Sequence, residues 1–95
     1  MLNVTLKYKQ AEQVCTTIIE EKVMMLEIES GEYYSLADAS RTIWEMLPNE
    51  KSIQEIVSEL VLSHDVTEEQ CLHDTCLLVN ELVQANLIHA VQSAT

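Results

Sequence analysis

The sequence predicts an α+β domain, in which a three-stranded antiparallel sheet (about residues 14–36) is followed by three helices (about residues 37–86). Apolar residues recur at every second position in the first part of the chain and at helical spacing in the second. Strands that precede the helices, rather than alternating with them, are typical of helices packed on one side of an antiparallel sheet. With 95 residues, 47% of them hydrophobic, we expect a single domain over 1–95 with one modest core.

The strand segments are indicated by β-branched residues and by alternation. Residues 14–19 are rich in β-branched side chains, which favour strands. Residues 23–29 alternate in polarity, with Glu27 and Glu29 on one face. The other face of this strand is expected to be apolar and carries Met24, Leu26 and Ile28.

Turn residues separate these segments. Residues 20–22 are expected to form the first hairpin loop, and Ser30-Gly31 predicts a two-residue turn into a last strand over 32–36. On that strand Tyr34 and Leu36 share a face. A short leading strand is suggested by one more alternation, that of Val4, Leu6 and Tyr8.

Helix boundaries carry clearer signals. The first helix has apolar spacing from Ala39 to Leu47 and must end before Pro48, since the residue before a proline is disfavoured in a helix. Asn86 suits the left-handed position after the third helix. Two capping boxes mark the starts of the second and third helices: Ser52 with Glu55, and Thr67 with Gln70. The expected core includes Trp44, Leu72 and Val79.

The charge balance excludes several function classes. Five basic residues against sixteen acidic ones give a net charge of −11. Affinity for nucleic acid comes mainly from Lys and Arg, and residues 68–85 contain neither, so we expect no nucleic-acid partner. Anionic membrane surfaces should also repel the chain, whereas a basic partner would be attracted.

The sequence offers no recognisable catalytic or metal-binding motif. Cys15, Cys71 and Cys76 show no CxxC spacing, and no signal peptide precedes them, which indicates reduced thiols in the cytoplasm. The histidines are scattered, and one glycine cannot build a phosphate-binding loop. We therefore expect no enzyme activity, no metal and no cofactor.

An ordered set of segments over about residues 14–89 resembles the PqqD-like family. The segments are LEIESGEYYSL at 26–36, IWEML at 43–47, SIQEIV at 52–57, and then Asp74, Leu78, Glu81-Leu82 and Asn86-Leu87-Ile88. The resemblance implies a winged-helix-like domain that recognises the leader of a ribosomally made precursor peptide. In that family the leader is bound as an added strand beside the third strand and against the third helix. The chain departs from the family at Ala37, where Asn is common, and at Ser40 and Asn86, where Gly is common.

The residues themselves favour the same site. The strand over 32–36 has no Pro or Lys to protect its edge, so its backbone is a template for an incoming strand. On the third helix, an apolar margin runs into Asp74. The candidate peptide-binding residues are Glu32, Tyr33, Tyr34, Ser35, Leu36, Cys71, Asp74, Thr75, Leu78 and Leu82. We expect an apolar pocket of Tyr34, Leu78 and Leu82, although the pattern alone also fits ordinary strand and core residues.

The resemblance leaves the partner enzyme open. A leader peptidase of lasso-peptide biosynthesis is the first expectation, because standalone members of this length serve such pathways. A radical SAM enzyme, making pyrroloquinoline quinone or a thioether peptide, is the alternative. A winged-helix DNA-binding regulator conflicts with the charge, an acyl-carrier protein lacks its Asp-Ser-Leu attachment motif, and a plain interaction subunit remains open.

Overall fold

The computed structural model describes residues 5–91 and confirms the α+β, winged-helix-like class. A meander of three strands precedes three helices, as expected, and short strands before, between and after these elements form a second sheet. The elements in chain order are β1 (Lys7–Gln10), β2 (Val14–Ile19), β3 (Lys22–Glu27), β4 (Glu32–Leu36), α1 (Asp38–Met46), β5 (Lys51–Ser52), α2 (Ile53–Ser63), α3 (Glu68–Gln84) and β6 (Ile88–Val91).

The main sheet has the strand order β2-β3-β4, with both neighbouring pairs antiparallel. Its first turn lies where it was expected but is one residue shorter, since Ile19 pairs with Lys22 across Glu20 and Glu21 and Lys22 belongs to β3. Both glutamates have positive φ, 51° and 69°, as a two-residue turn of type I′ requires. The Arg41 guanidinium donates a hydrogen bond to the Glu21 carbonyl oxygen at 2.8 Å, which ties this turn to α1.

The second turn is longer than the predicted two residues. Glu27 pairs with Glu32, so the loop comprises residues 28–31. Gly31 takes the left-handed conformation, with φ of 75°. The Glu27 carboxylate accepts hydrogen bonds from the backbone N–H groups of Glu29 at 3.2 Å and Ser30 at 2.7 Å. These bonds hold the loop against the end of β3.

The expected apolar face of β3 was the wrong one. The buried face carries Val23, Met25 and Glu27, while Met24 and Leu26 are only partly covered. Ile28 lies beyond the strand and is exposed. The strand has apolar residues on both faces, so alternation did not identify the face toward the core.

The second sheet has the order β5-β1-β6, and both pairs are antiparallel. The leading strand suggested by alternation therefore exists at Lys7–Gln10, but it pairs outside the meander. Tyr8 is buried and Leu6 packs against the core, whereas Val4 lies outside the described residues. This pairing joins the two ends of the described chain, since Lys7 lies opposite Val91.

The helix ends mostly follow the capping signals. Ser52 and Glu55 form the expected capping box at α2. At α3 only half of the expected box forms: the Thr67 side chain accepts from the Gln70 N–H, but the Gln70 side chain donates to Asp74 and not back to the cap. Asn86, with φ of 62°, follows α3, and its N–H donates to the Val83 carbonyl. The next N–H, of Leu87, donates to the Leu82 carbonyl, which completes a Schellman motif.

One contiguous core lies between the helices and the inner face of the main sheet. Trp44 and Val79 are buried, as expected, whereas Leu72 is 37% exposed and is not a core residue. The arc of α3 that faces the core is centred on Cys71, Thr75, Val79 and Leu82. No helix within residues 5–91 has the length and apolar character needed to cross a membrane.

Candidate peptide-binding edge

Strand β4 is an edge strand. It pairs with β3 along its whole length, from Glu32 opposite Glu27 to Leu36 opposite Val23. Within residues 5–91 no strand pairs with its other side. The strand contains neither Pro nor Lys and pairs with β3 at every position, so its free side can accept an incoming backbone.

The register shows which backbone groups point outward. Ile19 and Lys22 flank a two-residue turn and form a hydrogen-bonded pair. Along β3, residues whose backbone groups bond to β2 therefore alternate with residues whose backbone groups bond to β4. The Ile28 N–H continues this alternation, since it donates toward the β2 side, to the Gln13 carbonyl at 3.0 Å. It follows that Tyr33 and Ser35 direct their N–H and C=O groups toward the free edge.

The side chains of β4 divide between two faces. Tyr34 and Leu36 are half-buried and pack against the core, whereas Tyr33 is 72% exposed on the outer face. The Tyr34 hydroxyl donates a hydrogen bond to a Glu32 carboxylate oxygen at 2.6 Å. This bond raises the pKa of Tyr34, because the bond holds the phenol proton.

The candidate residues at the start of α3 line a small cavity. Its volume is about 100 Å³, and its walls come from all three helices and the loop between α2 and α3. Cys71 and Thr75 are buried beside it, whereas Asp74 is exposed and accepts a hydrogen bond from the Gln70 side-chain amide at 2.9 Å. The lining residues are Ala39, Ile43, Leu60, His64, Val66, Gln70, Cys71, Asp74 and Thr75.

The other two candidates on α3 lie deeper in the protein. Leu82 is 3% exposed and belongs to the core, and Leu78 is half-buried and packs against that core. Tyr34 packs against the same core cluster from the sheet side. Tyr34 and Leu78 thus pack against the one core cluster that contains Leu82 and also Cys71. Cys71, Asp74 and Thr75 in addition line the cavity beside α1.

Helix α1 links the two halves of the candidate site, which the sequence reasoning missed. The helix packs on β4 through its contacts with the sheet, and its residues Ala39 and Ile43 line the α3 cavity. These two residues are one helical turn apart, so they share a face. The available signal was this spacing, but it was interpreted only as core packing.

The groups at this edge are of the kinds that bind peptides. The edge presents backbone groups, apolar side chains and the carboxylates of Glu32 and Asp74. Among residues 5–91 no group of three His, Cys, Asp or Glu side chains could hold a metal ion. These groups suit an extended peptide with apolar and basic side chains.

Comparisons with known proteins agree with this architecture. One solved structure, described as TbiB1 in complex with the TbiA(beta) leader peptide, matches with a TM-score of 0.80 at 22% identity, over 90% of this chain and 99% of that chain. Another, described as lasso peptide synthetase B1 complexed with the leader peptide, matches with a TM-score of 0.77 at 20% identity, over 86% and 96% of the two chains. No curated protein matches the sequence. The family model for coenzyme PQQ synthesis protein D (PqqD) matches residues 22–88, and the chain therefore belongs to the PqqD family.

Proposed function

We propose that this protein binds the leader segment of a ribosomally synthesised precursor peptide and presents it to a partner enzyme. The leader adds to the main sheet as a strand beside β4. The partner is a leader peptidase of lasso-peptide biosynthesis, and both proteins work in the cytoplasm. The domain itself performs no bond chemistry, and its effect is to raise the local concentration of the precursor at the enzyme.

The free edge of β4 is the observation that carries this proposal. An extended peptide can pair there with Tyr33 and Ser35 without displacing any strand of residues 5–91. Membership of the PqqD family supports it, and so do the two similar structures, whose descriptions name bound leader peptides. The lasso-peptide pathway is favoured over a radical SAM partner by those same descriptions.

The proposed site combines the two groups of candidates. Residues 32–36 supply the backbone edge and the inner-face side chains, and Leu78 supplies an apolar wall. Leu82, which is buried, supports Leu78 from the core side. The cavity beside Cys71 and Thr75 receives an apolar leader side chain, and the Asp74 carboxylate at its rim binds a basic or hydrogen-bonding group.

A proline at the free edge tests the binding mode. Ser35→Pro removes one outward N–H while it leaves the pairing with β3 intact, because proline is tolerated where an edge N–H faces solvent. We expect the leader peptide to bind about tenfold more weakly, since a lost hydrogen bond and imperfect strand pairing cost on the order of 1–1.5 kcal/mol. The measurement is titration calorimetry with a synthetic peptide of the leader encoded beside this gene.

The opposite edge of the same sheet provides the matched control. By the same alternation the Thr16 N–H points outward from β2, so Thr16→Pro makes an equivalent change away from the proposed site. Thr16→Pro should bind the leader with unchanged affinity. Equal losses in both variants, or no loss in Ser35→Pro, would contradict strand addition at β4. Unchanged affinity in both Tyr34→Ala and Leu78→Ala would reject the apolar wall.

A further inference from the structure

The main sheet has a second open edge, on the side away from the proposed leader site. Strand β2 pairs only with β3 within residues 5–91, and from Cys15 to Ile19 its side chains are exposed. Thr16 and Ile18 direct their backbone N–H and C=O groups outward, because Thr17 and Ile19 bond to β3. Like β4, this strand contains no Pro and no Lys, so nothing in its sequence protects the edge.

A groove lies directly beside this edge. Its volume is about 530 Å³, within the range of ligand-binding clefts. On the β2 side, called the near wall, the groove is lined by Thr16, Thr17 and Ile18, and on the α1 side, called the far wall, by Trp44, Glu45 and Pro48. Gln10 and the buried Val23 complete the lining. Thr16 and Ile18 thus supply both outward backbone groups and side chains that line the groove.

The far wall of the groove is held in place by β1. The Gln10 side-chain amide donates to the Trp44 carbonyl at 2.8 Å, and the Gln10 N–H donates to the Leu47 carbonyl at 3.1 Å. These bonds join the end of β1 to the last turn of α1, on which Trp44 and Glu45 lie. The groove is therefore formed before any partner arrives, which lowers the entropic cost of binding.

We propose that this second edge binds the partner enzyme, through an extended segment of that enzyme that pairs with β2. This inference rests on the proposed function, in which an adaptor must hold leader and enzyme together. In an antiparallel pair, residues directly opposite each other point their side chains to the same face. The two residues of the incoming segment opposite Thr16 and Ile18 therefore point into the groove, and both are apolar. A Lys or Arg next to them approaches the exposed Glu45 carboxylate, which also pairs with Arg41 at 3.4 Å.

The charge of the chain selects this occupant over a second copy of the same protein. Two copies that pair through β2 would each carry a net charge of −11, and their mutual repulsion opposes such a dimer. Glu45 lines the groove, and Glu20 and Glu21 lie at the end of β2. A basic extended segment is complementary to this surface. With β4 reserved for the leader, the two edges allow both ligands to bind at once.

Two substitutions with matched controls test the second edge. Thr16→Pro removes an outward N–H, and Ile18→Ser removes an apolar wall of the groove. Ile28→Ser is the control for Ile18→Ser, since the two isoleucines are similarly exposed, 55% and 58%, and Ile28 lies in the loop after β3. Ser35→Pro is the control for Thr16→Pro. The probe is the purified peptidase encoded beside the precursor gene, and its affinity is measured by calorimetry with and without the leader peptide.

We expect Thr16→Pro and Ile18→Ser each to weaken peptidase binding about tenfold. Ile28→Ser should leave it unchanged, and so should Ser35→Pro when the leader peptide, which binds beside Ser35, is left out. The peptidase should also protect the amides of 14–19 from hydrogen exchange. Unchanged peptidase affinity in both Thr16→Pro and Ile18→Ser would overturn the proposal. So would a dimer of the chain in sedimentation that Thr16→Pro dissociates. Loss of leader binding in Ser35→Pro tests the β4 site alone, so the two proposals can fail separately.

Discussion

Glu27 is a buried carboxylate on which the β3–β4 loop is built. It is 1% exposed and faces the core side of the sheet, where a charge is costly unless it is hydrogen-bonded. Hydrogen bonds from Ser30 lower its pKa most, and the Glu29 N–H adds to the effect, while burial opposes it. These bonds keep the carboxylate charged at neutral pH and fix the loop that leads into β4.

This shift predicts how stability depends on pH. A carboxyl group whose pKa is lower in the folded state stabilises the fold fully above its ordinary pKa of 4.5, and this stabilisation is lost as the pH falls toward the lowered value. We therefore expect the thermal midpoint of unfolding to fall as the pH is lowered below 4.5. Glu27→Gln should lower the midpoint at pH 7 and flatten this acid dependence. Differential scanning calorimetry across the pH series measures both.

Glu29→Gln is the matched control, because the Glu29 backbone N–H, and not its side chain, bonds to Glu27. Its profile should follow that of the unsubstituted chain. Glu55, whose pKa is lowered mainly by the backbone N–H of Ser52, keeps part of the acid dependence in every variant. A Glu27→Gln profile as steep as the control would contradict the assigned role of Glu27.

The same residue explains where the sequence pattern misled. The alternation predicted an apolar inner face with Met24 and Leu26 and an outer face with Glu27 and Glu29. The buried face instead carries Val23, Met25 and Glu27. Alternation treats every Glu as a surface residue. A polarity pattern contains no information on backbone hydrogen bonds. It therefore could not indicate that the N–H groups of the following turn stabilise a buried carboxylate.

Helix α1 begins without a side-chain cap, unlike its two neighbours. Ala37 at its N-cap position is extended, with φ of −137° and ψ of 163°, and cannot accept a hydrogen bond through its methyl group. The family commonly has Asn at this position, whereas this helix starts with no side-chain hydrogen bond at its cap. Asp38 itself has a positive φ of 56°.

Restoring a cap should therefore stabilise the protein. Ala37→Asn places an acceptor at a position whose backbone already has N-cap geometry, and we expect a gain of about 1 kcal/mol in the free energy of unfolding. Thr67→Ala is the reciprocal variant, since it removes the cap of α3, and should cost about 1 kcal/mol. Urea denaturation followed by circular dichroism measures both. A destabilised Ala37→Asn variant would show that the start of α1 cannot accept the cap.

The helices were predictable because their signals are local. The cap residues Ser52 and Thr67, with Pro48 and Asn86, mark boundaries within a few residues of the structural change, and the observed ends follow them. The β4 edge was predictable for the same reason, since the meander follows from neighbouring hairpins. The α3 half of the site was less predictable. The predicted buried face of the helix was rotated slightly from the observed one, so Leu72 was expected in the core and Cys71 at its margin, whereas Cys71 is buried and Leu72 is exposed.

The whole molecule carries far more negative charge than its ion pairs offset. Within residues 5–91 three ion pairs have N···O distances between 2.9 and 3.9 Å, and all of them lie on the surface: Lys7–Glu55, Arg41–Glu45 and Lys51–Glu59. Such pairs each contribute little. The remaining carboxylates repel one another in the compact state. The same field opposes DNA binding, the function that the winged-helix class would otherwise suggest.

Salt should therefore stabilise this protein. Raising the salt concentration from about 0.01 M to about 0.15 M shortens the screening length from about 30 Å to about 8 Å, which weakens the repulsion. We expect the thermal midpoint of unfolding to rise by a few degrees, measured by calorimetry at neutral pH. The double variant Glu20→Lys/Glu21→Lys changes the charge from −11 to −11 + 4 = −7 at the exposed β2–β3 turn and should show a smaller rise. A midpoint that falls with salt would contradict net repulsion.

The small sheet was the least predictable part of the fold, because β1 pairs with a strand at the other end of the chain. Closing a loop between Lys7 and Val91 costs more entropy than forming the hairpins of the main sheet, in which the paired strands follow each other directly. We therefore expect the hairpins to assemble first, and the β1–β6 pair to close after the helices between them have docked. Because Gln10 of β1 also bonds to the last turn of α1, we expect the far wall of the groove beside β2 to become fixed late in folding.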